Sequence, residues 1–599
     1  MFDGFVLAAV CQELTEKITG CAIDRVYQPA ALELILYLRR AGERRRLLFS
    51  AHPVNARVHL ATLTPENPPS PPLFCLVLRK HIEGGRLQQI HQSGLDRVLT
   101  LEIAARDETG APSPKRLVCE IMGKHSNIIL IDAATGLIID AIKRYSHAVS
   151  RHREVLPGRP YLPPPGQDKL NPLLLREKEF VETLLRQPLA TPLPDALQAC
   201  LDGLSKPLAK EVVYRAGLPA DLVLDECGEY EFQKLWRALQ ELAVPAKQGE
   251  FQPTLLLNQK KYLDFAAFEL THLAAIPAVT RKKGTMNDLV EEYYVHREKS
   301  ARLEKERQEL FKVVRQAKKR LQKKAALLEE QLAAAKEADG ARLAGELLMA
   351  NLYRLEKGMT EAVLENFYDP ENKPAVIPLN PCLSPVDNAR AYFKKYNKAK
   401  GARQRAQETG TKVRRELTYL GSVETAIEQA AALDDLLEIA EELAEQGYLP
   451  EKRPSKAKPA RTARTPEILS FTSSDGFLIL AGRNNRQNDY LTMRLAKDGD
   501  TWLHAKDIPG AHVIIKAKND RPPTLPALRE AAAIAAYYSR ARQSQNVPVD
   551  YTLRKNVHKP LGARPGFVIY KEQRTLVADP DEQLVERLKN APDPGQPEN

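Results

Sequence analysis

Through the first 172 residues, apolar positions come in short runs. ELILYLRR (33–40), RRLLFSA (45–51), VLTLEIA (98–104), RLVCEIM (116–122) and NIILIDA (127–133) have the length and spacing of strands in a half-buried sheet. Two stretches change to helical spacing, DGFVLAAVCQELTEKI (3–18) and PLFCLVLRKHIEGG (72–85). The pattern predicts an α+β domain over 1–172 with a largely antiparallel sheet, closed by the Pro-rich LPPPGQDKLNP (162–172). From 173 to about 275 the rhythm is helical. Within it, LDGLSKPLAKEVVYRAGLP (201–219) reads as helix, Gly-Leu-Ser turn, helix. This segment is either an ordinary helical corner with Ser205 as N-cap, or a helix-hairpin-helix that brings Ser205, Lys206 and backbone N–H groups to a phosphate.

The next segment, 276–450, is predicted to be a long antiparallel coiled-coil hairpin. Leu310, Val314, Ala317, Leu321, Ala325, Leu328 and Leu332 recur at threes and fours along a proline-free run over 287–335. A second run, about 386–446, carries Leu417, Leu420, Val423 and Ile427 on one stripe. EKRPSKAKPARTARTP follows, and 451–467 reads as a basic linker. A compact α+β pattern returns over 468–575, and 576–599 is acidic, Pro-rich and expected to be disordered. The fold class is therefore multidomain α+β, with 1–172, 173–275, 276–450 and 468–575 as its folded parts.

Charge narrows the choice of partner. The formal net charge is +11, and between Arg297 and Lys324 twelve Lys/Arg stand against four Glu. Such a surface permits a polyanionic partner, although charge-rich coiled coils often bind nothing. The seven cysteines are scattered and none forms Cys-x-x-Cys, which suits a reducing compartment better than a disulfide frame or zinc site. MFDGFVLAAVCQELTEKITG has no basic n-region, and no apolar run is long enough for a membrane span, so a cytoplasmic protein with no membrane partner is expected.

Catalytic motifs are hard to find. MGKHS (122–126) lacks the upstream glycine of a phosphate loop and has His125 where the Ser/Thr would hold magnesium. His504 and His512 have no cysteine or carboxylate cluster with them, so they read as structural. No enzyme, metal or cofactor is expected. Three polar constellations remain. Asp96 and Arg97 sit where a turn enters a strand, suited to a base edge and a phosphate, or to a plain turn carboxylate and surface arginine. In EIMGKHSNIIL (120–130), Lys124, Ser126 and Asn127 follow a turn glycine. In AGRNNRQNDYLT (481–492), Arg483, Asn484, Asn485, Arg486, Asn488 and Asp489 crowd beside Gly482, more donors and acceptors than a turn needs for itself.

These motifs together resemble the NFACT family. The resemblance runs through MFDGF, AHPVNARVHL (51–60), PPLFCLVLRKHIEGG (71–85), SGLDR (93–97), EIMGKHSNIIL, GLSKPLAKEV and GELLMANLYRLEKG (345–358). NPCLSPVDNARAYFKKYNKAK (380–400) and DGFLILAGRNNRQNDYLT…WLHAKDIPGAHV (475–513) complete it, over essentially 1–575 in the family's domain order. The resemblance implies an NFACT-N domain with a glycosylase-like fold, a helix-hairpin-helix domain, a coiled-coil hairpin and an RNA-binding NFACT-R domain. It also implies a ribosome quality-control factor that binds a stalled large (50S) subunit carrying peptidyl-tRNA. Such a factor recruits alanyl-tRNA for untemplated alanine tailing, with a small S4-like RNA-binding partner. Family residues needed for tailing and tRNA engagement map onto Asp3, Asp96 and Arg97, and AGRNNRQNDYLT is expected on an RNA-facing surface. The family's older name invites an alternative, a fibronectin-binding adhesin. Glycosylase chemistry is not implied, since Phe2 stands where those enzymes carry their proline nucleophile and the C-terminal third has no cysteine.

Overall fold

The computed structural model describes residues 2–591 apart from 149–151, 167, 260, 338, 372, 451–465 and 519–520. The chain divides into two compact units, Met1–Ser300 and Ala301–Asn599.

The first unit is built on a nine-stranded antiparallel sheet. From one edge its strands are Arg57–Leu60, Glu43–Ser50, Glu33–Arg40, Ala22–Ala30, Arg86–Gln92, Val98–Ala104, Lys115–Glu120, Asn127–Asp132 and Ile138–Ala141. The N-terminal helix Gly4–Ile18 buries Phe5, Leu7, Val10, Leu14 and Ile18 in the core it shares with the sheet. Asp3 caps this helix, its carboxylate accepting from Val6 N at 2.9 Å. Helices Leu193–Cys200 and Lys206–Arg215 meet at the Gly-Leu-Ser turn, and Glu229–Gln248 packs against the second of them.

The helical reading of 173–275 fails at its end. Thr254–Asn258 is the centre of a three-stranded sheet, flanked by Lys261–Ala266 and Val279–Lys283. A short apolar run such as TLLLN has no period that separates strand from buried helix. Glu211 fastens this region, accepting from Thr271 Oγ1 (2.7 Å), His272 N (3.1 Å) and Arg215 Nε (2.7 Å). Burial raises its pKa, but these hydrogen bonds outweigh burial and hold it at about 2.

In the second unit, two long helices form the expected arms. Met286–Glu337 enters this unit at Ala301, and Pro385–Gln429 runs antiparallel to it. Arg307 donates to Ala430 O (2.7 Å), Lys318 pairs with Glu424 (2.5 Å), and Leu328 packs with Ala406 and Val413. Leu310 and Val314 meet Leu420, Val423 and Ile427, so the seam residues named from the sequence do face the partner arm. A small module joins the arms: helix Asp339–Ala350 and the ribbon Glu361–Glu365/Pro374–Pro378.

The second arm does not continue to 446. It stops at Gln429, and a separate helix, Leu433–Glu445, follows. Asp435 makes the break by accepting from Ala431 N (3.1 Å) and Ala432 N (3.0 Å), a stop signal that uses neither Gly nor Pro.

The C-terminal domain is a six-stranded antiparallel sheet in the order Leu469–Thr472, Leu478–Ala481, Val513–Ile515, Thr501–Ala505, Val547–Leu553, Arg574–Ala578. Helix Leu525–Tyr537 covers one face. Residues 576–591, expected to be disordered, include the end of the edge strand and a helix, Glu582–Lys589, that buries Val585 and Leu588 in the same core. The rest of the expected tail, 592–599, and most of the expected basic linker, 451–465, lie outside the described residues.

The two histidines flanking IPGA are structural. Trp502 stacks on His504 with centroids 5.8 Å apart, His512 crosses His504 at 5.3 Å, and His512 Nδ1 lies 2.8 Å from Thr492 Oγ1. Burial lowers both pKa values, His504 to about 4 and His512 well below its ordinary 6.5. A histidine held neutral in the fold gives stability that is present above its unfolded pKa and is lost as pH falls through the folded one. With Trp236→Phe leaving Trp502 as sole tryptophan, the thermal midpoint read by its fluorescence should fall as pH drops from 6.5 towards about 4. His504→Asn should flatten that slope.

Candidate functional site

Three distant segments meet in the first unit. Gly4 N donates to Gly203 O (3.1 Å), and Gln92 Nε2 donates to Gly4 O (3.0 Å) and to Asp96 O (2.8 Å). Gly4 has no room for a side chain, since a Cβ would overlap the Leu95 carbonyl oxygen and lie 2.5 Å from Gly203 Cα. Gly203, at φ +75°, needs the conformational freedom of glycine as well as its small size. The second oxygen of Asp3 accepts from Ser205 Oγ at 2.5 Å. Ser205 stands at the N-cap position of its helix, but its hydroxyl serves Asp3 and makes no cap bond. Burial raises the Asp3 pKa, while the bonds from Ser205 and Val6 pull it back. With 6% of its surface exposed, Asp3 fixes the junction from the cleft wall.

A cleft of about 1350 Å³ opens at this junction, lined among others by Asp3, Asp96, Arg97, Lys124 and Ser205. The turn over 93–96 closes with Asp96 N on Ser93 O (3.1 Å), and Asp96 Oδ1 accepts from Arg97 N (2.7 Å). The two side chains therefore leave adjacent backbone positions in a fixed relation, both half exposed. Ser126 and Asn127 lie beneath the cleft, fully buried. Ser126 Oγ accepts from Met122 N (2.8 Å), tightening the turn that carries Lys124. Asn127 donates to Lys143 O (2.9 Å) and accepts from Lys143 N (3.0 Å), fixing that segment at the cleft wall. These two residues build the site without facing a ligand. Lys206 is not part of the lining, and it pairs with Asp195 at 2.8 Å.

The cleft also holds residues that the sequence reading passed over: Lys143, Arg144, Lys169 and Asp202. Lys169 comes from the Pro-rich segment read as a closing linker. That segment pairs with the hairpin, Leu170 N donating to Cys200 O and Asp202 N to Leu170 O, both at 2.9 Å. Burial lowers the pKa of Lys143 and Lys169 and raises that of Asp202, to which the nearby charge of Asp96 adds. Behind the wall, buried Glu120 accepts from Arg153 (2.7 and 2.5 Å) and Tyr161 (3.0 Å). Among the described residues, Arg97, Lys124 and Lys169 have no carboxylate within ion-pair distance, which leaves cationic donors for an anionic ligand. No group of three or more His, Cys, Asp or Glu among the described residues is placed to hold a metal.

The stretch 481–492, expected on an RNA-facing surface, is engaged within the second unit by the acidic helix Leu433–Glu445. Arg483 meets Asp435 with two nitrogens (2.9 and 3.0 Å), and both side chains are nearly buried. Glu438 accepts from Asn484 and Gln487, each at 2.8 Å. Glu442 accepts from Asn485 (2.9 Å) and Tyr419 OH (2.8 Å). Arg486 bridges Glu441 (2.8 Å) and Glu445. Positions 435, 438, 442 and 445 share one helical stripe, so a single face answers Arg483 to Gln487. Asn488 turns inward, accepting from His512 N (2.9 Å) and donating to Gly510 O (3.2 Å). Asp489 pairs with Lys559 and accepts from Gly566 N at 2.9 Å. The density of hydrogen-bonding side chains follows from internal docking: the buried carboxylates Asp435 and Glu442 need donors, and Glu438, Glu441 and Glu445 extend the contact.

The family model of the NFACT N-terminal and middle domains matches residues 3–462, and that of the NFACT protein RNA binding domain matches 467–571. Among curated proteins, the chain is 40% identical over 591 residues to the Rqc2 homolog RqcH of Bacillus subtilis, covering 98% of this chain and 100% of that protein. It is 35% identical over 598 residues to the Rqc2 homolog RqcH of Streptococcus suis, with the same coverage. A solved structure of the C-terminal part of the fibronectin/fibrinogen-binding protein from Streptococcus suis is 34% identical. It covers 48% of this chain and 99% of that chain, with a TM-score of 0.39.

Gly4→Ala should lower the stability of the first unit by about 3 kcal/mol, the scale of an overpacked contact with backbone. Urea unfolding followed through Trp236, in a Trp502→Phe background, measures it. In the second unit, Arg483→Met alone leaves Asp435 buried without its cation and should cost about 3 kcal/mol. Adding Asp435→Asn should recover much of that loss, a coupling read by unfolding followed through Trp502.

Proposed function

The chain belongs to the NFACT family, and from that membership we propose that it is a ribosome quality-control factor acting in the cytoplasm. In this reading it binds a stalled 50S subunit that carries peptidyl-tRNA, recruits alanyl-tRNA and directs untemplated alanine tailing. A small S4-like RNA-binding protein assists it. The peptide bond is formed by the ribosome, and the chain contributes placement alone.

One observation carries the reading: the composition of the cleft. Asp96 and Arg97 stand side by side on a rigid turn, with Lys124, Lys143 and Lys169 around them. An unpaired nucleotide presents base-edge donors and a phosphate a few ångströms apart. A carboxylate beside a guanidinium, among lysines, complements both. The partly desolvated setting strengthens each contact relative to bulk water. Asp3 and Ser205 support the function by holding the helical turn against the Asp96 loop.

Sequencing the RNA retained on tagged full-length protein tests the proposal. Large-subunit rRNA and one dominant tRNA, the alanine species, should be enriched. Arg97→Ala should lose the tRNA while keeping the rRNA and an unchanged melting temperature. Absence of any enriched tRNA with the unaltered protein would refute the reading.

A further inference from the structure

With the stretch 481–489, mostly the short helix Asn485–Tyr490, engaged by the acidic helix, another face of the RNA-binding domain is open to RNA. The segment 553–577, LRKNVHKPLGARPGFVIYKEQRTLV, contains six cations and one acid, Glu572. Its cations divide into two sets. Arg554, Lys559 and Arg564 pair with Asp498, Asp489 and Glu416. Arg564 also lies over the Tyr419 ring at 4.5 Å and donates to Tyr448 OH at 2.9 Å. Lys555, Lys571 and Arg574 are exposed and, among the described residues, have no carboxylate within ion-pair distance.

Val557 is buried and Val568 and Tyr570 pack with it, but other apolar residues of the segment face solvent. Leu561 is fully exposed, and Phe567 and Ile569 are 45% and 49% exposed. The strands Val557–His558 and Ile569–Tyr570 form a two-stranded ribbon with Val557 opposite Tyr570 and His558 opposite Ile569. Val557 is buried and Tyr570 donates to Asp550 Oδ2 at 3.0 Å, so the alternation along the ribbon turns His558 and Ile569 to solvent. Lys571 N donates to Asn556 O (3.3 Å), and Asn556 Nδ2 donates to Glu572 (3.1 Å), which sets Lys555 and Lys571 on the same ribbon. Exposed Leu561, Phe567 and Ile569 beside unpaired Lys555, Lys571 and Arg574, on a loop anchored at Asp489 and Tyr448, are the polarity of a surface built for a partner.

We infer that this ribbon and its connecting loop, with Lys555, Lys571, Arg574, His558 and Phe567, are the RNA-contacting face of the C-terminal domain, and that they take unpaired RNA. The inference deepens the proposed function and rests on its RNA-binding part. Unmatched cations suit phosphates, while Phe567, His558 and the aliphatic groups offer flat or apolar platforms to unstacked bases, which a duplex would keep covered. The RNA-binding-domain match over 467–571 takes in this ribbon and favours RNA over an acidic protein.

The test uses full-length protein and a labelled single-stranded RNA of mixed sequence, with its duplex as comparison, by fluorescence anisotropy across salt. Lys555→Ala/Lys571→Ala/Arg574→Ala should weaken single-strand binding at least tenfold and reduce the slope of log K against log salt by about 2, the loss of three phosphate contacts. Phe567→Ala should weaken it on the order of tenfold with little change in slope. Arg486→Ala should bind as the unaltered protein does. The melting transition read by Trp502 should stay unchanged in every variant, since each altered side chain is wholly or partly exposed. If unaltered protein binds no RNA, the RNA-binding part of the proposed function falls. If it binds and the ribbon variants bind equally well, or only Arg486→Ala weakens binding, this face is wrong. Equal affinity for the duplex, or variants that lose only binding to anionic lipid vesicles, would also overturn it.

Discussion

Asp3 has almost no contact with water, and the first unit depends on how that carboxylate is satisfied. One oxygen takes the helix N-terminus at Val6 and the other takes Ser205, about two hundred residues further along the chain. A buried anion without donors costs several kcal/mol, so its partners are obligatory and their positions become fixed. The same device recurs at the root of the first arm. Glu13 accepts from Met286 N (2.5 Å) and Asn287 Nδ2 (2.6 Å), and Glu291 accepts from Thr62 N (2.8 Å) and Thr62 Oγ1 (2.9 Å). In the second unit, Asp435 and Glu442 do this for the C-terminal sheet. Apolar burial gathers each core, but it is indifferent to small slips in register. Carboxylates with named donors remove that freedom, and the Asp96–Arg97 turn inherits its position from them through Gln92.

The proportion of this that could be read from the sequence depended on whether a signal was local. Runs such as 33–40 and 127–132 are short, apolar and β-branched or leucine-rich, and the arm seam repeats at threes and fours, so both elements were legible. The strand at 254–258 was not, because three consecutive leucines fit either periodicity. The break after Gln429 was hidden for a different reason. Its cause is the Asp435 side chain capping backward, and an aspartate in an acidic helix looks unexceptional. Asp96 and Arg97 were visible as a motif, while Lys143 and Lys169 were not, since pairing between 170 and 201 brings them in from segments with no pattern of their own.

The polar cluster at 481–492 shows why side-chain chemistry alone misassigns a surface. Arginine and asparagine recognise carboxylates and phosphates by the same geometry, a planar array of N–H donors. The sequence shows the donors but not which anion meets them. Here the anions are internal, spaced along one stripe of a helix that the sequence reading merged into the second arm. Once that helix is separate and turned back, the complement of this stretch lies within its own unit, and most of its side-chain donors are engaged there.

The same accounting bears on the ribbon at 553–577. Half-buried Lys559 and Arg564 each meet acidic or aromatic partners, so the connecting loop is held by its polar side chains. Val557, Val568 and Tyr570 pack into the core, while Phe567 and Leu561 take no part in it, and no core requirement accounts for them. In a domain whose interior is otherwise satisfied, side chains that contribute nothing to the fold and are unfavourable in water are where a partner's contribution is to be sought. The loop rigidity supplied by these half-buried pairs also lowers the ordering entropy that RNA contact would otherwise cost, so the internal salt bridges and the exposed face are two aspects of one arrangement.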